Sequence, residues 1–93
     1  MIKSFRDAET ARVFDRRFSR RLRGDIQSVA LRKLRMLNNA VDVSDLRSPP
    51  ANRLEKLSDD RRGQHSVRIN DQWRICFVWR AGDAYDVEIC DYH

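Results

Sequence analysis

Four residues in the C-terminal quarter of the chain carry side chains suited to phosphodiester chemistry: Arg74, Asp91, Tyr92 and His93. His93 can lend or take a proton near neutral pH, while Asp91 and Tyr92 supply an orienting acceptor and an aromatic plane. The guanidinium of Arg74 can stabilise negative charge on phosphorus. Cleavage of RNA through its own 2′-hydroxyl needs a proton acceptor, a cation and a proton donor for the departing 5′-oxygen, and it needs no metal.

A two-residue hydrophobic period predicts the strand that positions Arg74. Trp73, Ile75 and Phe77 alternate with smaller or polar residues, so the pleat places Arg74 on the opposite face of the sheet. No predicted helix covers that face, and we expect it to form the floor of a cleft. If the last strand, from about 85 to 93, pairs beside this one, it brings the C-terminal motif Asp91-Tyr92-His93 to the same region. The alternatives are an arginine on a solvated strand face and a terminus without a role.

His65 and Glu55 are the candidates for a third proton-transfer group. His65 is predicted to face the core side of its strand and therefore ranks below His93. Glu55 can act as a base if burial raises its pKa, but Arg53 and Lys56 nearby oppose that rise. The choice between them stays open.

Neither a metal nor a cofactor is expected. The cysteines and histidines lack the close pairing of zinc sites, and we expect both cysteines to be reduced thiols buried in strands of a cytosolic protein. The three glycines lie too far apart for a phosphate-binding loop. These residues are Cys76, Cys90, His65, His93, Gly24, Gly63 and Gly82.

Positive charge is concentrated in the N-terminal third of the chain, although the net charge is only +5. Residues 1–35 hold 11 Lys or Arg against 4 Asp or Glu, whereas residues 36–93 hold 8 against 10. Such a cluster can follow a phosphate backbone by releasing counterions. A solvated polar face or a site for an acidic protein partner is the alternative. The densest part comprises Arg16, Arg17, Arg20, Arg21 and Arg23.

The length of 93 residues fits one domain, residues 1–93, with two N-terminal helices on one face of a small, mainly antiparallel sheet. No apolar run approaches the roughly 20 residues of a membrane span, and no cleavable leader is recognisable, so we expect a cytoplasmic protein without a membrane partner. The chain is predicted to begin with a short strand at 1–5 and two helices. Asp7 caps the first helix, which has Ala11, Phe14 and Phe18 on one face, and Asp25 caps the second, from which Gln27, Arg32, Lys33 and Arg35 face outward. An arm at 41–52 and an extended run at 53–57 follow, and then strands at 64–69, about 73–79 and 85–93.

Taken together, these segments resemble the HigB-type toxins of the RelE/ParE superfamily over essentially the whole chain. The most specific likeness lies in the Trp73-Arg74-Ile75 strand, the C-terminal motif and their separation. The matching segments are 1–5, 30–37, 48–55, 61–63, 70–76 and 91–93.

The resemblance implies a bacterial type II toxin that enters the ribosomal A site and cleaves messenger RNA. It implies a cognate helix-turn-helix antitoxin of the HigA type, in a complex of higher order. By position, Asp91 and His93 transfer protons, Tyr92 helps to hold the substrate and Arg74 stabilises the scissile phosphate. Lys56, Arg61 and Arg62 are auxiliary phosphate contacts, and the basic first helix meets ribosomal RNA.

One departure from the family pattern concerns Glu55, because some relatives place a catalytic histidine there and a lysine near Ser58. The full catalytic set is therefore not transferable. Two other functions remain possible for this fold and charge: a ParE-like, non-enzymatic inhibitor of DNA gyrase, and a plain nucleic-acid-binding module. The gyrase inhibitors need no proton-transfer residues at the C-terminus, whereas this chain ends in them.

Overall fold

A computed structural model describes residues 1–91, in which two α-helices pack on one side of a four-stranded sheet. This arrangement confirms the predicted α+β class. Within these residues, no helix is long and apolar enough to cross a membrane. The elements are α1 (Ala8–Phe14), α2 (Gly24–Asn39), β1 (Glu55–Lys56), β2 (Gln64–Arg68), β3 (Trp73–Arg80) and β4 (Asp83–Asp91), with short 3-10 turns at Val43–Arg47, Pro50–Asn52 and Asp59–Arg61.

The sheet is antiparallel throughout, in the order β1, β2, β3, β4. Ala81 and Gly82 join β3 to β4 with φ angles of 51° and 82°. Positive φ at both positions suits the tight two-residue loop whose twist matches that of the strands. The predicted first strand is reduced to two parallel bridges, from Ile2 to Ala84 and from Phe5 to Val87, which lie along the outer edge of β4.

Both helices cover the sheet face that carries the alternating hydrophobic residues. Ala30, Leu34 and Leu37 of α2 are fully buried in one cluster with Ile75 and Phe77 of β3. Their spacing of three and four residues is the one that predicted this helix. Burial of a large aliphatic or aromatic side chain contributes roughly 1.5–3 kcal/mol, so this cluster fixes the side of the sheet on which the helices lie.

The first helix is shorter than its hydrophobic spacing predicts. Asp7 caps it as expected, accepting a hydrogen bond from the Thr10 amide at 2.6 Å. The helix ends at Phe14, and Arg16, with φ of 65°, turns the chain away from the helix axis. Phe18 is therefore 70 % exposed, so its predicted place on a buried helix face is wrong. The arginines from 16 to 23 lie in the connection between the helices and not in a basic first helix.

A buried polar network fastens the proline-containing arm to α2. Lys33, predicted to face solvent, is only 5 % exposed, and its ammonium donates a hydrogen bond to the Asn52 side chain. The Asn52 amide donates in turn to the carbonyls of Leu46 and Ser48, at 3.1 and 3.3 Å. Burial lowers the pKa of Lys33. The network fixes the backbone immediately before Arg53, whose carbonyl accepts a hydrogen bond from Arg74.

We expect Asn52→Ala to lower the free energy of unfolding by about 1–3 kcal/mol, because it removes both arm contacts and leaves the Lys33 ammonium buried without this acceptor. Urea unfolding measures the loss. Asn39→Ala is the control, since Asn39 is exposed at the end of α2 and its change should stay within about 0.5 kcal/mol. Equal losses for the two variants would contradict the role given to the network.

Candidate functional site

The sheet face turned away from the helices gathers the polar and sulfur-bearing residues of the strands. Residues paired directly across antiparallel strands share a face. The pairings therefore place a set of side chains on one surface, called here the Arg74 face, which includes Glu55, Ser66, Arg68, Arg74, Cys76, Glu88 and Cys90. The prediction that Arg74 leaves the sheet opposite Ile75 and Phe77 is confirmed.

Arg74 is held from two sides, and the expectation of an open cleft floor beneath it is wrong. The residue is only 7 % exposed, and the arm before β1 reaches its guanidinium through the Arg53 carbonyl. Its Nε donates to the Ser66 hydroxyl at 2.8 Å, and Nη2 donates to the Arg53 carbonyl at 2.7 Å. A guanidinium fixed in this way is oriented before any anion binds, so little side-chain entropy is lost on binding.

Glu55 lies at the outer edge of Arg74. Its Oε1 is 3.5 Å from Nη1 of Arg74, a loose ion pair, and its side chain is 52 % exposed. Glu55 also lines a groove of about 370 Å³ formed by residues 55–61. The Glu55 carboxylate therefore lies next to both the Arg74 guanidinium and this groove.

The centre of the Arg74 face is a half-buried ion pair beside two buried thiols. Arg61, predicted to contact phosphate, binds Glu88 at 2.7 Å, and this hydrogen bond raises the pKa of Arg61. The Cys90 thiol donates to the Cys76 sulfur at 3.0 Å, which lowers the pKa of Cys76 and raises that of Cys90. Both cysteines are buried, as predicted. Arg61 is thus half-buried and engaged in an ion pair, whereas Arg62 beside it is exposed.

The C-terminal motif begins at the end of β4 that lies beside Arg74. Cys90 pairs with Arg74, and Asp91 pairs with Trp73, so the predicted pairing of the two strands is confirmed. The same register directs the Asp91 side chain to the helix side of the sheet, where its Oδ2 accepts a hydrogen bond from Gln72 at 3.2 Å. Tyr92 and His93, the other two residues of the motif, lie outside the described residues.

The predicted RNA-binding residues fall on two separate surfaces. Arg16, Arg17 and Arg20 are exposed in the connection between the helices. Arg21 is anchored there, since its Nη2 donates to the Ile89 carbonyl at 2.6 Å and its guanidinium lies 5.7 Å from the Trp73 ring centre. Lys56 is exposed but pairs with His65, which places it on the helix side of the sheet and away from Arg74.

His65 faces the core side, as predicted. It pairs with Phe77 and stacks on that ring with centroids 5.9 Å apart. Its Nδ1 is buried without a hydrogen-bond partner among the described residues. Burial, and then the charge of Lys56, lower the pKa of His65. The register therefore separates His65 from the Arg74 face.

His65 should make the fold sensitive to acid. Because its pKa is lowered in the folded state, the unfolded chain binds more protons below about pH 6.5, and stability falls as the pH drops from there to the folded-state pKa. We expect His65→Gln to reduce the pH dependence of the free energy of unfolding, measured by urea unfolding at pH 7.5, 6.5 and 5.5. An unchanged slope in the variant would contradict the assignment. RNA cleavage at pH 7.5 should be retained in the variant.

Sequence reasoning did not identify two partners of Arg74, nor the exposed ring of Phe18. The Ser66 hydroxyl and the Arg53 carbonyl carry no motif, although the two-residue period of β2 places Ser66 opposite the core-facing His65 and Val67. Among residues 1–91, no group of three or more His, Cys, Asp or Glu side chains is arranged to hold a metal ion.

The backbone has the fold of the RelE-like toxins. It superposes on a chain of the YoeB–YefM complex from Staphylococcus aureus with a TM-score of 0.63 at 14 % identity, covering 100 % of this chain and 98 % of the other. A second structure of a heterotetrameric YoeB–YefM toxin–antitoxin complex from the same organism gives 0.62 at 19 % identity.

Residues 3–93 match the model of the family described as RelE-like toxin of type II toxin-antitoxin system HigB, and the chain belongs to that family. It is 44 % identical over 59 residues to Toxin HigB-1 of Vibrio cholerae, an alignment that spans 63 % of this chain and 62 % of that protein. It is 28 % identical to Endoribonuclease HigB of Proteus vulgaris over 93 residues, which is the full length of both.

Proposed function

We propose that this chain, acting as a single domain, is a ribosome-dependent endoribonuclease that cleaves messenger RNA in the ribosomal A site. The observation that carries the proposal is the preset guanidinium of Arg74, whose Nε and Nη2 are held by the Ser66 hydroxyl and the Arg53 carbonyl, with the exposed Glu55 carboxylate 3.5 Å from Nη1. The name of the full-length Proteus vulgaris relative gives independent support for RNA cleavage.

In the proposed reaction, the 2′-oxygen of one nucleotide attacks the adjacent phosphorus while its proton passes to a base. Negative charge then grows on the non-bridging oxygens, where Arg74 meets it after Glu55 has moved aside. The bond from phosphorus to the 5′-oxygen breaks, and that oxygen takes a proton from an acid. The products are a cyclic phosphate and a free 5′-hydroxyl, so protons balance without water or a metal.

Proton transfer is assigned to His93 and Asp91, and substrate contact to Tyr92, from their positions in the sequence. Asp91 leaves β4 on the helix side, so it reaches the scissile phosphate only around the end of that strand. His93 is accordingly the principal proton donor and acceptor in this proposal. Glu55 serves as the counter-ion that the phosphate replaces.

Binding to RNA on the translating ribosome, ribosomal or messenger, is assigned to the exposed basic residues. Arg16, Arg17 and Arg20, with the anchored Arg21, form one contact with RNA. Lys56 and Arg62 give weaker phosphate contacts near the arm. Arg61 contributes indirectly, because its guanidinium is engaged in the ion pair with Glu88. The protein would act in the cytoplasm, restrained by a cognate HigA-type, helix-turn-helix antitoxin in a higher-order complex.

Primer extension on a translated message tests this function against its two rivals. Cleavage within codons that requires ribosomes supports the proposal. Inhibition of DNA supercoiling without cleavage would indicate a gyrase inhibitor, and salt-sensitive nucleic-acid binding with neither activity would indicate a binding module. Either of these outcomes overturns the proposal.

A further inference from the structure

Phe18 is a large aromatic side chain that the fold holds in solvent. It is 70 % exposed, although its neighbour Ser19 is 1 % exposed and Leu22 is 4 % exposed. Gln27 of α2 clamps the backbone on both sides of Phe18, because its Oε1 accepts from the Ser19 amide at 3.0 Å and its Nε2 donates to the Arg17 carbonyl at 2.7 Å. The exposed ring is therefore displayed on an anchored segment.

The ring of Phe18 separates two clefts that are both lined by arginine. A cleft of about 410 Å³ on one side includes Arg20, Arg21 and the ion pair of Arg12 with Glu9, and so keeps a net positive charge. A cleft of about 360 Å³ on the other side includes Arg16 and Arg35. An apolar plane between two cationic clefts matches a single-stranded nucleic acid, whose bases are flat and whose phosphates lie on either side of each base.

We propose that Phe18 is a stacking platform for an unpaired base of the RNA strand that the protein cleaves, with the phosphates flanking that base bound in the two arginine-lined clefts. The inference rests on the proposed function and adds a substrate subsite to it.

Charge favours RNA over the other occupants of such a surface. A second copy of this chain meeting the same patch would bring the arginine clusters of both copies together, and this repulsion opposes a symmetric dimer. A purely apolar partner would leave the surrounding guanidinium groups desolvated and unpaired. RNA satisfies both features of the patch, since aromatic stacking is insensitive to base identity and arginine pairs with phosphate through two parallel hydrogen bonds.

The position of the patch favours the cleaved strand as the source of that RNA. Arg21 is hydrogen-bonded to the Ile89 carbonyl and lies over Trp73, so the patch is attached to the start of β3 and the end of β4. Arg74 and Cys90 lie at the same end of these strands, on the opposite face. A strand with its scissile phosphate at Arg74 reaches Phe18 by passing around this end of the sheet.

The test uses a short, unstructured RNA that carries 2-aminopurine, whose fluorescence is quenched on stacking, and 2′-O-methyl groups that prevent cleavage. The intact protein should quench the fluorophore at low salt. Phe18→Ala should abolish the quenching and weaken binding by about 5- to 150-fold, the range for loss of one base–aromatic stack. Phe18→Trp should retain both. Val41→Ala is the matched control, because Val41 is an exposed apolar residue at 81 % exposure outside the patch.

Gln27→Ala tests whether presentation of the ring matters. It keeps Phe18 but removes the clamp, so quenching should fall while the contribution of the arginines, seen as the salt dependence of binding, is retained. Unchanged quenching and affinity in Phe18→Ala would overturn the proposal. A loss confined to binding of intact ribosomes or of an acidic protein would overturn it too, since the partner would then be different. Because the RNA cannot be cleaved, these results do not depend on whether the ribonuclease function holds.

Discussion

Arg74→Ala should slow ribosome-dependent RNA cleavage by about 30- to 900-fold, which corresponds to the loss of roughly 2–4 kcal/mol of transition-state stabilisation from one preset donor group. The size of the effect follows from the anchoring of the guanidinium by Ser66 and the Arg53 carbonyl. A donor that is already oriented does not have to reorganise as charge develops on phosphorus. Single-turnover cleavage on programmed ribosomes, followed by primer extension, measures the rate.

Because Arg74 is buried, its removal also affects the fold. The variant leaves the Ser66 hydroxyl and the Arg53 carbonyl without this donor, and we expect a loss of stability of about 1–3 kcal/mol. Urea unfolding should accompany every rate measurement, with rates compared at a temperature at which each variant is folded. Arg74→Lys is the second variant. It keeps the positive charge but lacks the planar guanidinium with its paired N–H donors, so its rate should fall between those of Arg74→Ala and the unmodified protein.

Arg80→Ala is the control for a change of charge on the same strand. Arg80 projects from the same side of β3 at its other end, is exposed and lies over Tyr85 at 4.5 Å. Its removal should leave the cleavage rate within a factor of two or so. If a folded Arg74→Ala protein is slowed no more than Arg80→Ala, Arg74 has no part in the reaction.

The direction of Arg74 was predictable from sequence, but its environment was not. Alternation along β3 is a local property, and large apolar residues at Trp73, Ile75 and Phe77 reveal which face is buried. Two of its contacts come from Arg53 and Glu55, about 20 positions earlier in the chain. Nothing in the polar, proline-containing sequence of that arm indicates where it will lie.

Lys33 and Phe18 were misplaced because residue type and helical spacing gave incomplete information. The spacing of Lys33 relative to Ala30, Leu34 and Leu37 puts it on the buried face of α2, yet its charge suggested solvent. The Asn52 side chain, from a distant segment, accepts a hydrogen bond from the buried ammonium, and the sequence gives no sign of this contact. At Phe18 the helical spacing continued beyond the point at which the chain leaves the helix, and the turn at Arg16 has no glycine to mark it.

Strand register decides which candidate residues can act together, and a single sequence does not contain it. Shifting the pairing by one residue would exchange the faces of an entire strand. The observed register brings Glu55 to Arg74 and takes Lys56, His65 and Asp91 to the helix side. Among the described residues it thus leaves no imidazole on the Arg74 face.

The largest effect should therefore come from the C-terminal motif. We expect His93→Ala, or deletion of Tyr92 and His93, to abolish the growth arrest caused by expression of the protein, because both remove the group to which proton transfer is assigned. The fold should persist, since the described members of the buried cluster that contains Ile75, Phe77, Val87 and Ile89 all precede residue 90.

Growth after induction, primer extension and urea unfolding on the same variants separate a catalytic loss from a folding loss. The truncated protein should keep an unfolding midpoint close to that of the intact chain while cleavage is lost. Tyr92→Phe is the matched control, because it keeps the aromatic plane and the downstream imidazole; it should retain cleavage and growth arrest. If the truncated protein arrests growth as strongly as the intact one, the motif is not the source of the protons, and the reaction at Arg74 must draw them from another group.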